Sequence, residues 1–292
     1  MRISQAFTQR LFLEGLERTR TDLQEAMGRM ASGRRVRYGS DDPQVVGEIV
    51  RLSEQIQQLA ARRRSIIFAT PWLETTEQAI SEVGRSLESA LVIAVDGASE
   101  DLDQTGRDAL ADSVLGLRQS LEGLASRRLS GRYMFSGTQT DRPPFDVAGA
   151  YQGNGDAIEI HLDGKRLAIN VPGDRAFGEL GVGGPIEVLD QLEQALRAGD
   201  TDAVHALIDP LQSAVGDNSA LLAEIGVRRQ QLEDADLRLT DLETTLKIQR
   251  AELADADIAE ALSDVQRLEA QYQATLVAGT RLFGGSFFDY IG

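Results

Sequence analysis

Leu52, Leu59, Ile66, Leu73, Ile80, Leu87 and Ala94 stand seven residues apart without a miss. A seven-residue repeat held this long fits a helix whose apolar edge follows a partner helix, and it fits neither strand nor loop. Ile49, Ile56 and Leu91 fall on the adjacent position. From Val45 to Asp96 such a helix would span roughly 80 Å. Its narrow stripe needs a partner, and Ile225, Leu232, Leu239, Leu246 and Leu253 repeat at the same interval. Asp42 can cap the long helix, with Pro43 at its first position, where a missing N–H costs nothing. Pro71 either kinks this helix or begins a new one capped by Thr70.

A further amphipathic pattern, Phe7, Leu11, Leu16, Leu23, Met27 and Met30, precedes the break at "SGRRVRYGSDDP". A second internal helix is expected from about Thr105 to Ser130, striped by Leu110, Val114, Leu117, Leu121 and Leu124. The period then changes. In "AIEIHLDGKRLAINVPG" apolar residues alternate, and Asp163-Gly164 between them is a strong hairpin signal. Helix resumes from Ile186 to Val215 and continues, with a phase slip at "ADADIAEA". The class expected is mainly α with a small β insert: a long antiparallel helical rod made from both chain ends, carrying a β-rich outer domain. Five parts follow: an N-terminal helix (1–40), the first rod segment (41–132), the insert (133–184), the second rod segment (185–254) and a C-terminal helix (255–292).

Only 5% of the 292 residues are aromatic, which suits Leu/Ile/Ala helix packing. The net charge of -16 argues against nucleic acid as a partner. The charge is uneven, with 12 Arg against eight acidic residues in 1–64 and eight basic against 20 acidic in 184–292. The chain ends, or neighbouring copies, could therefore attract one another. With no cysteine, disulfides and thiolate metal sites are excluded. No apolar run reaches the roughly 20 residues that would span a membrane. Gln9, Arg10, Glu14 and Glu17 interrupt the apolar residues that a cleaved export signal would need. The two histidines, His161 and His205, have no ligand-spaced companions, and "GVGG" lacks the Lys-Ser/Thr of a phosphate loop. No enzyme activity, metal or cofactor is expected.

The ends are unusual. Phe283, Phe287, Phe288 and Tyr290 crowd the last ten residues, and chain ends are ordinarily polar and frayed. Phe7, Leu11, Leu16 and Leu23 raise the same question at the other end. After the phase slip the C-terminal stripe runs Ile258, Leu262, Val265, Tyr272 and Leu276. These thirteen residues are the expected assembly interface, buried between subunits.

Three stretches carry a resemblance. They are "RISQAFTQRLFLEGLERTRTDLQEAMGRMASGRRVRYGSDDPQVVGEI", "GRYMFSGTQTDRPPF" and "ADIAEALSDVQRLEAQYQATLVAGTRLFGGSFFDYIG", in that order, 100 of the 292 residues. Together they resemble the flagellin family, on the side of its hook–filament junction members. The resemblance implies terminal helices that are disordered in the free chain and fold together on assembly. It implies export through the flagellar type III apparatus without a cleaved peptide. It also implies a ring of copies between hook-associated protein 1 and the flagellin filament, and a cytoplasmic export chaperone on the C-terminal helix. A filament flagellin is the nearest alternative, and a cytosolic coiled-coil adaptor a more distant one.

Overall fold

The computed structural model describes residues 2–146, 149–162, 164–179 and 182–283. In chain order these form α1 (Arg2–Ser32), α2 (Pro43–Gly97), α3 (Gln104–Ala125), β1 (Arg128–Leu129), β2 (Arg132–Tyr133), β3 (Glu159–Leu162), β4 (Lys165–Ala168), α4 (Gly173–Phe177), α5 (Pro185–Ala198), α6 (Thr201–Ala206), α7 (Ile208–Ala254) and α8 (Ile258–Phe283). The expected class holds: helix dominates and the β part is small. The described residues divide into two compact units, one within 59–240 and the other made of 2–58 with 241–283.

Within unit 59–240, the first parts of α7 and the later parts of α2 run antiparallel. Arg63 bonds Asp236 at 2.9 Å, Glu77 bonds Arg229 at 2.9 Å, and Gly84 lies against Asn218, so one number falls as the other rises. Every member of the repeat from Leu59 to Ala94 is buried. The expected adjacent row is mixed, with Ile56 buried and Ile49 and Leu91 half-buried, and a second row completes the seam. It lies three residues on, at Ala69, Thr76, Val83 and Ala90, all fully buried. Small side chains there let two backbones approach closely. From α7 come Leu211, Asn218, Ile225, Leu232 and Leu239, interleaved with Ala214, Leu221 and Ala235.

Pro71 lies inside α2, which continues through it. The Thr70 hydroxyl donates to the Ile66 carbonyl at 3.0 Å and does not cap a new helix. Proline has no N–H to offer the carbonyl four residues back, here Ile67.

The helix α3 ends at Ala125, not near Ser130. Ser130 and Gly131 both take positive φ, 51° and 82°, and turn β1 into β2. Two consecutive positive-φ residues make the tight turn that matches the twist of paired strands. α3 packs on α5, burying Ala111, Val114, Leu121 and Leu124 on one side and Leu189, Leu192 and Leu196 on the other. Arg118 reaches Asp190 and lies 3.7 Å from Glu193, and Arg197 bonds Asp112 at 2.9 Å and Glu193 at 3.0 Å.

The β part closes on an aromatic cluster. Phe135 meets Phe177 edge-on at 4.8 Å, and Phe145 lies 6.4 Å from Phe177 and 5.4 Å from Tyr151. The hairpin β3–β4 pairs Ile160 with Leu167 and exposes His161, as alternation predicted. Of its expected turn, Asp163 lies outside the described residues and Gly164 has φ 79°. The Tyr151 hydroxyl sits 2.9 Å from the Phe135 carbonyl and 3.1 Å from that of Asn154, and accepts the Gly173 N–H at 3.3 Å. Burial pushes this phenol up to about 12. Gly173 is required here because a Cβ would stand 2.8 Å from the Phe135 carbonyl oxygen. Tyr151→Phe strips this shared partner from buried groups and should destabilise the protein by about 1–2 kcal/mol in denaturant unfolding. An unchanged midpoint would mean that water replaces the hydroxyl.

Charged groups tie the β part to α7. Arg175 and Arg228 both bond Glu224, and Arg228 also donates to the Asn170 carbonyl at 3.1 Å. The Arg175 hydrogen bond, with the Arg228 charge behind it, holds the Glu224 carboxyl below the ordinary carboxylate range. A depressed carboxyl stabilises the fold above its unfolded-state pKa and ceases to do so as pH falls through its folded value. Glu224→Gln should therefore melt lower than the parent at neutral pH, by about one to three degrees for so exposed a pair. The gap should close once the pH is below the ordinary carboxylate range. A gap that persists there would assign the effect to packing instead.

Candidate assembly surface on the terminal helices

In the other unit, the ends of α1, α2, α7 and α8 are fixed by short-range bonds. Gly33, at φ 64°, ends α1 and donates its N–H to the Arg29 carbonyl at 2.9 Å. The following loop folds around Asp41, whose Oδ2 accepts the N–H groups of Arg37 and Tyr38, each at 2.9 Å. Those two bonds draw the Asp41 carboxyl below its usual range. Asp42 accepts the Val45 N–H at 3.1 Å, so it caps α2 ahead of Pro43 as its position suggested. The phase slip at "ADADIAEA" is a real break. α7 stops at Ala254, and the Asp257 carboxylate starts α8 by accepting the N–H groups of Ala259 and Glu260 at 2.8 and 3.2 Å.

α1 and α8 pack together. Their seam is thin. Ala26, Val265 and Leu268 form its buried cluster, with Leu23 and Met30 packed against it and Leu16 buried farther along α1. Of the residues expected at the interface, Leu16, Leu23 and Val265 thus face the chain's own seam side. Tyr272 and Leu276 are half-buried. Phe7, Leu11, Ile258 and Leu262 are exposed, by 61, 53, 53 and 46%. The Phe283 side chain and all of Phe287, Phe288 and Tyr290 lie outside the described residues.

Sequence reasoning did not single out Ala26 and Leu268, which fill the seam, or Val277, which is exposed on α8. Leu268 was within reach, since it stands three residues after Val265 and four before Tyr272. Ala26 carried no signal, because alanine is equally at home on a wet or a buried helical face. The pair therefore presents large apolar side chains to solvent while its own contact is already filled. Phe7, Leu11, Ile258 and Leu262 are thus available for a partner to cover.

The described residues hold no cluster of three or more His, Cys, Asp or Glu side chains able to bind a metal ion. None of the described helices is long and apolar enough to cross a membrane. What this surface offers chemically is apolar area on two helices.

Residues 3–140 match the bacterial flagellin N-terminal helical region. Over that stretch, in its first half, the chain is similar to the flagellins. Flagellar hook-associated protein 3 of Escherichia coli is 25% identical over 313 aligned residues, which cover 99% of both chains. Polar flagellin F of Vibrio parahaemolyticus is 26% identical, but over only 49% of this chain and 37% of its own. The crystal structure of flagellar hook associated protein-3 from Legionella pneumophila has the same fold, with a TM-score of 0.60 at 15% identity, covering 71% of this chain and 98% of that one. The likeness to hook-associated protein 3 thus runs on through the β part and the C-terminal helix, beyond the stretch that matches the flagellins.

Proposed function

We propose that this protein is hook-associated protein 3, a flagellin-family structural subunit of the bacterial flagellum that forms the junction between hook-associated protein 1 and the flagellin filament. The observation that carries the reading is the end-to-end likeness to hook-associated protein 3, against the partial likeness to a flagellin. The terminal helices support it. Phe7, Leu11, Ile258 and Leu262 are exposed on a helix pair whose buried cluster does not include them. In the assembly they meet neighbouring copies in a ring, with Tyr272, Leu276, Phe283, Phe287, Phe288 and Tyr290 continuing the contact.

The five-part division fits this role, with 1–40 and 255–292 as assembly helices that order fully when copies meet. The protein reaches its place by flagellar type III export without a cleaved peptide, escorted by a chaperone on the C-terminal helix, and lies outside the cell. No step of the role calls for catalysis or a cofactor. Immunogold labelling of intact cells tests the reading. A single narrow band at the hook–filament boundary is expected. Label along the whole filament would make the protein a flagellin, and label confined to the cytoplasm would make it an adaptor.

A further inference from the structure

The connections that lead into the two terminal helices are joined to one another. The Arg35 N–H donates to the Ala254 carbonyl at 2.8 Å, and the Ala256 N–H donates to the Gly33 carbonyl at 2.9 Å. Between these bonds Arg34 and Asp255 stand opposite each other as an antiparallel bridge. The Arg35 guanidinium adds two bonds to the Leu253 carbonyl, from Nε at 3.2 Å and Nη2 at 2.9 Å. Leu253 is in the last turn of α7, where carbonyls lack helical partners and a cation is favoured by the helix dipole. The joined residues are 218 apart in sequence, so this clasp is no local turn.

The helix seam beyond the clasp specifies little by itself. Among the described residues its buried apolar members are Leu16, Ala26, Val265 and Leu268. Each residue advances a helix by about 100°, so slipping α8 by one position would turn Val265 away and bring Gln266 in. Only one alignment of the clasp is hydrogen-bonded in both directions. We propose that the clasp of residues 33–35 with 253–256 forms independently of the α1–α8 seam and sets its alignment, so that the terminal helices enter an assembly already matched. This deepens the reading above, in which those helices order fully on assembly.

Amide hydrogen exchange on the isolated full-length protein, followed by NMR, tests the order of events. In the parent, the Arg35 and Ala256 amides should exchange at least about a hundredfold more slowly than in an unstructured peptide. Leu16→Asp with Leu268→Asp should release the amides of Ala26 and Val265 and leave the clasp amides within about threefold of the parent. Arg35→Ala with Gly33→Val removes the fork and strains the positive-φ residue. It should speed exchange about tenfold or more at Ala256 and also at Ala26 and Val265. Clasp amides that lose protection together with the seam would overturn the proposal, as would a seam that stays protected when the clasp is broken. Unchanged protection at Leu73 and Ile225 controls for the rest of the fold. Where the protein is found in the cell does not enter these measurements, so a misplaced label would sink the junction reading and leave the clasp standing.

Discussion

Phe7→Asp combined with Leu11→Asp should leave the melting curve of the isolated protein unchanged and should abolish filament growth. Both side chains are already in water in the single chain, so exchanging them for carboxylates removes little packing. Between subunits the same carboxylates would be buried without partners, at an effective cost of several kcal/mol each. Multiplied around a closed set of copies, that defect leaves no stable assembly. The expected phenotype is secretion of the variant at parental levels, flagellin shed into the medium, and hooks without filaments. Leu16→Asp is the contrast. Leu16 is buried in the chain's own structure, so this variant should lose helix on its own. If Phe7→Asp and Leu11→Asp lowered the melting temperature as Leu16→Asp does, the exposed face would belong to the monomer's fold and the assembly role would fail.

Two neighbouring substitutions in α2 should act with opposite signs. Leu73 is fully buried at the middle of the long seam. Leu73→Ala should cost about 3–4 kcal/mol, from lost transfer energy and the cavity left behind. For a unit of this size that is a fall of about ten degrees in melting temperature. Pro71 is exposed, two residues earlier, and leaves the Ile67 carbonyl without its usual donor. Pro71→Ala restores that donor and should raise stability by about 2 kcal/mol, part of the intrinsic gain being lost to the freer unfolded chain. A Leu73→Ala variant as stable as the parent would mean that α2 and α7 do not pack along the repeat. A destabilised Pro71→Ala variant would mean that the proline's ring, and not its missing N–H, matters to α2.

The large aliphatic row of α2 was legible in the sequence because leucine and isoleucine at a fixed interval have few other uses. Its companion row was not. Ala69, Thr76 and Ala90 are as buried as Leu73, yet each is a residue that solvent also tolerates. The hairpin at β3–β4 announced itself by alternation, whereas the turn at Ser130–Gly131 was absorbed into the preceding helical pattern, since two-residue strands are too short to alternate. At the terminal helices the amphipathic stripes were plain. Which of their residues face the chain's own seam was not, because a stripe records that something covers it and not what. The paired arginines at 34 and 35 read only as charge, although one of them reaches a carbonyl more than two hundred residues away.

Asn218 gives the long seam something its repeat cannot. Identical spacings on two helices are a poor ruler, since sliding one past the other by seven residues brings leucine against leucine again. The Asn218 amide is buried in that apolar row, its nitrogen 2.6 Å from where a side chain on Gly84 would begin and its Oδ1 without a partner. A slide of seven would set the same amide against Glu77 or Leu91, where a side chain already fills the space. One polar residue facing one missing side chain therefore serves as a zero mark. The two helices can count from it, and a pairing displaced by one repeat meets a collision before it meets its leucines.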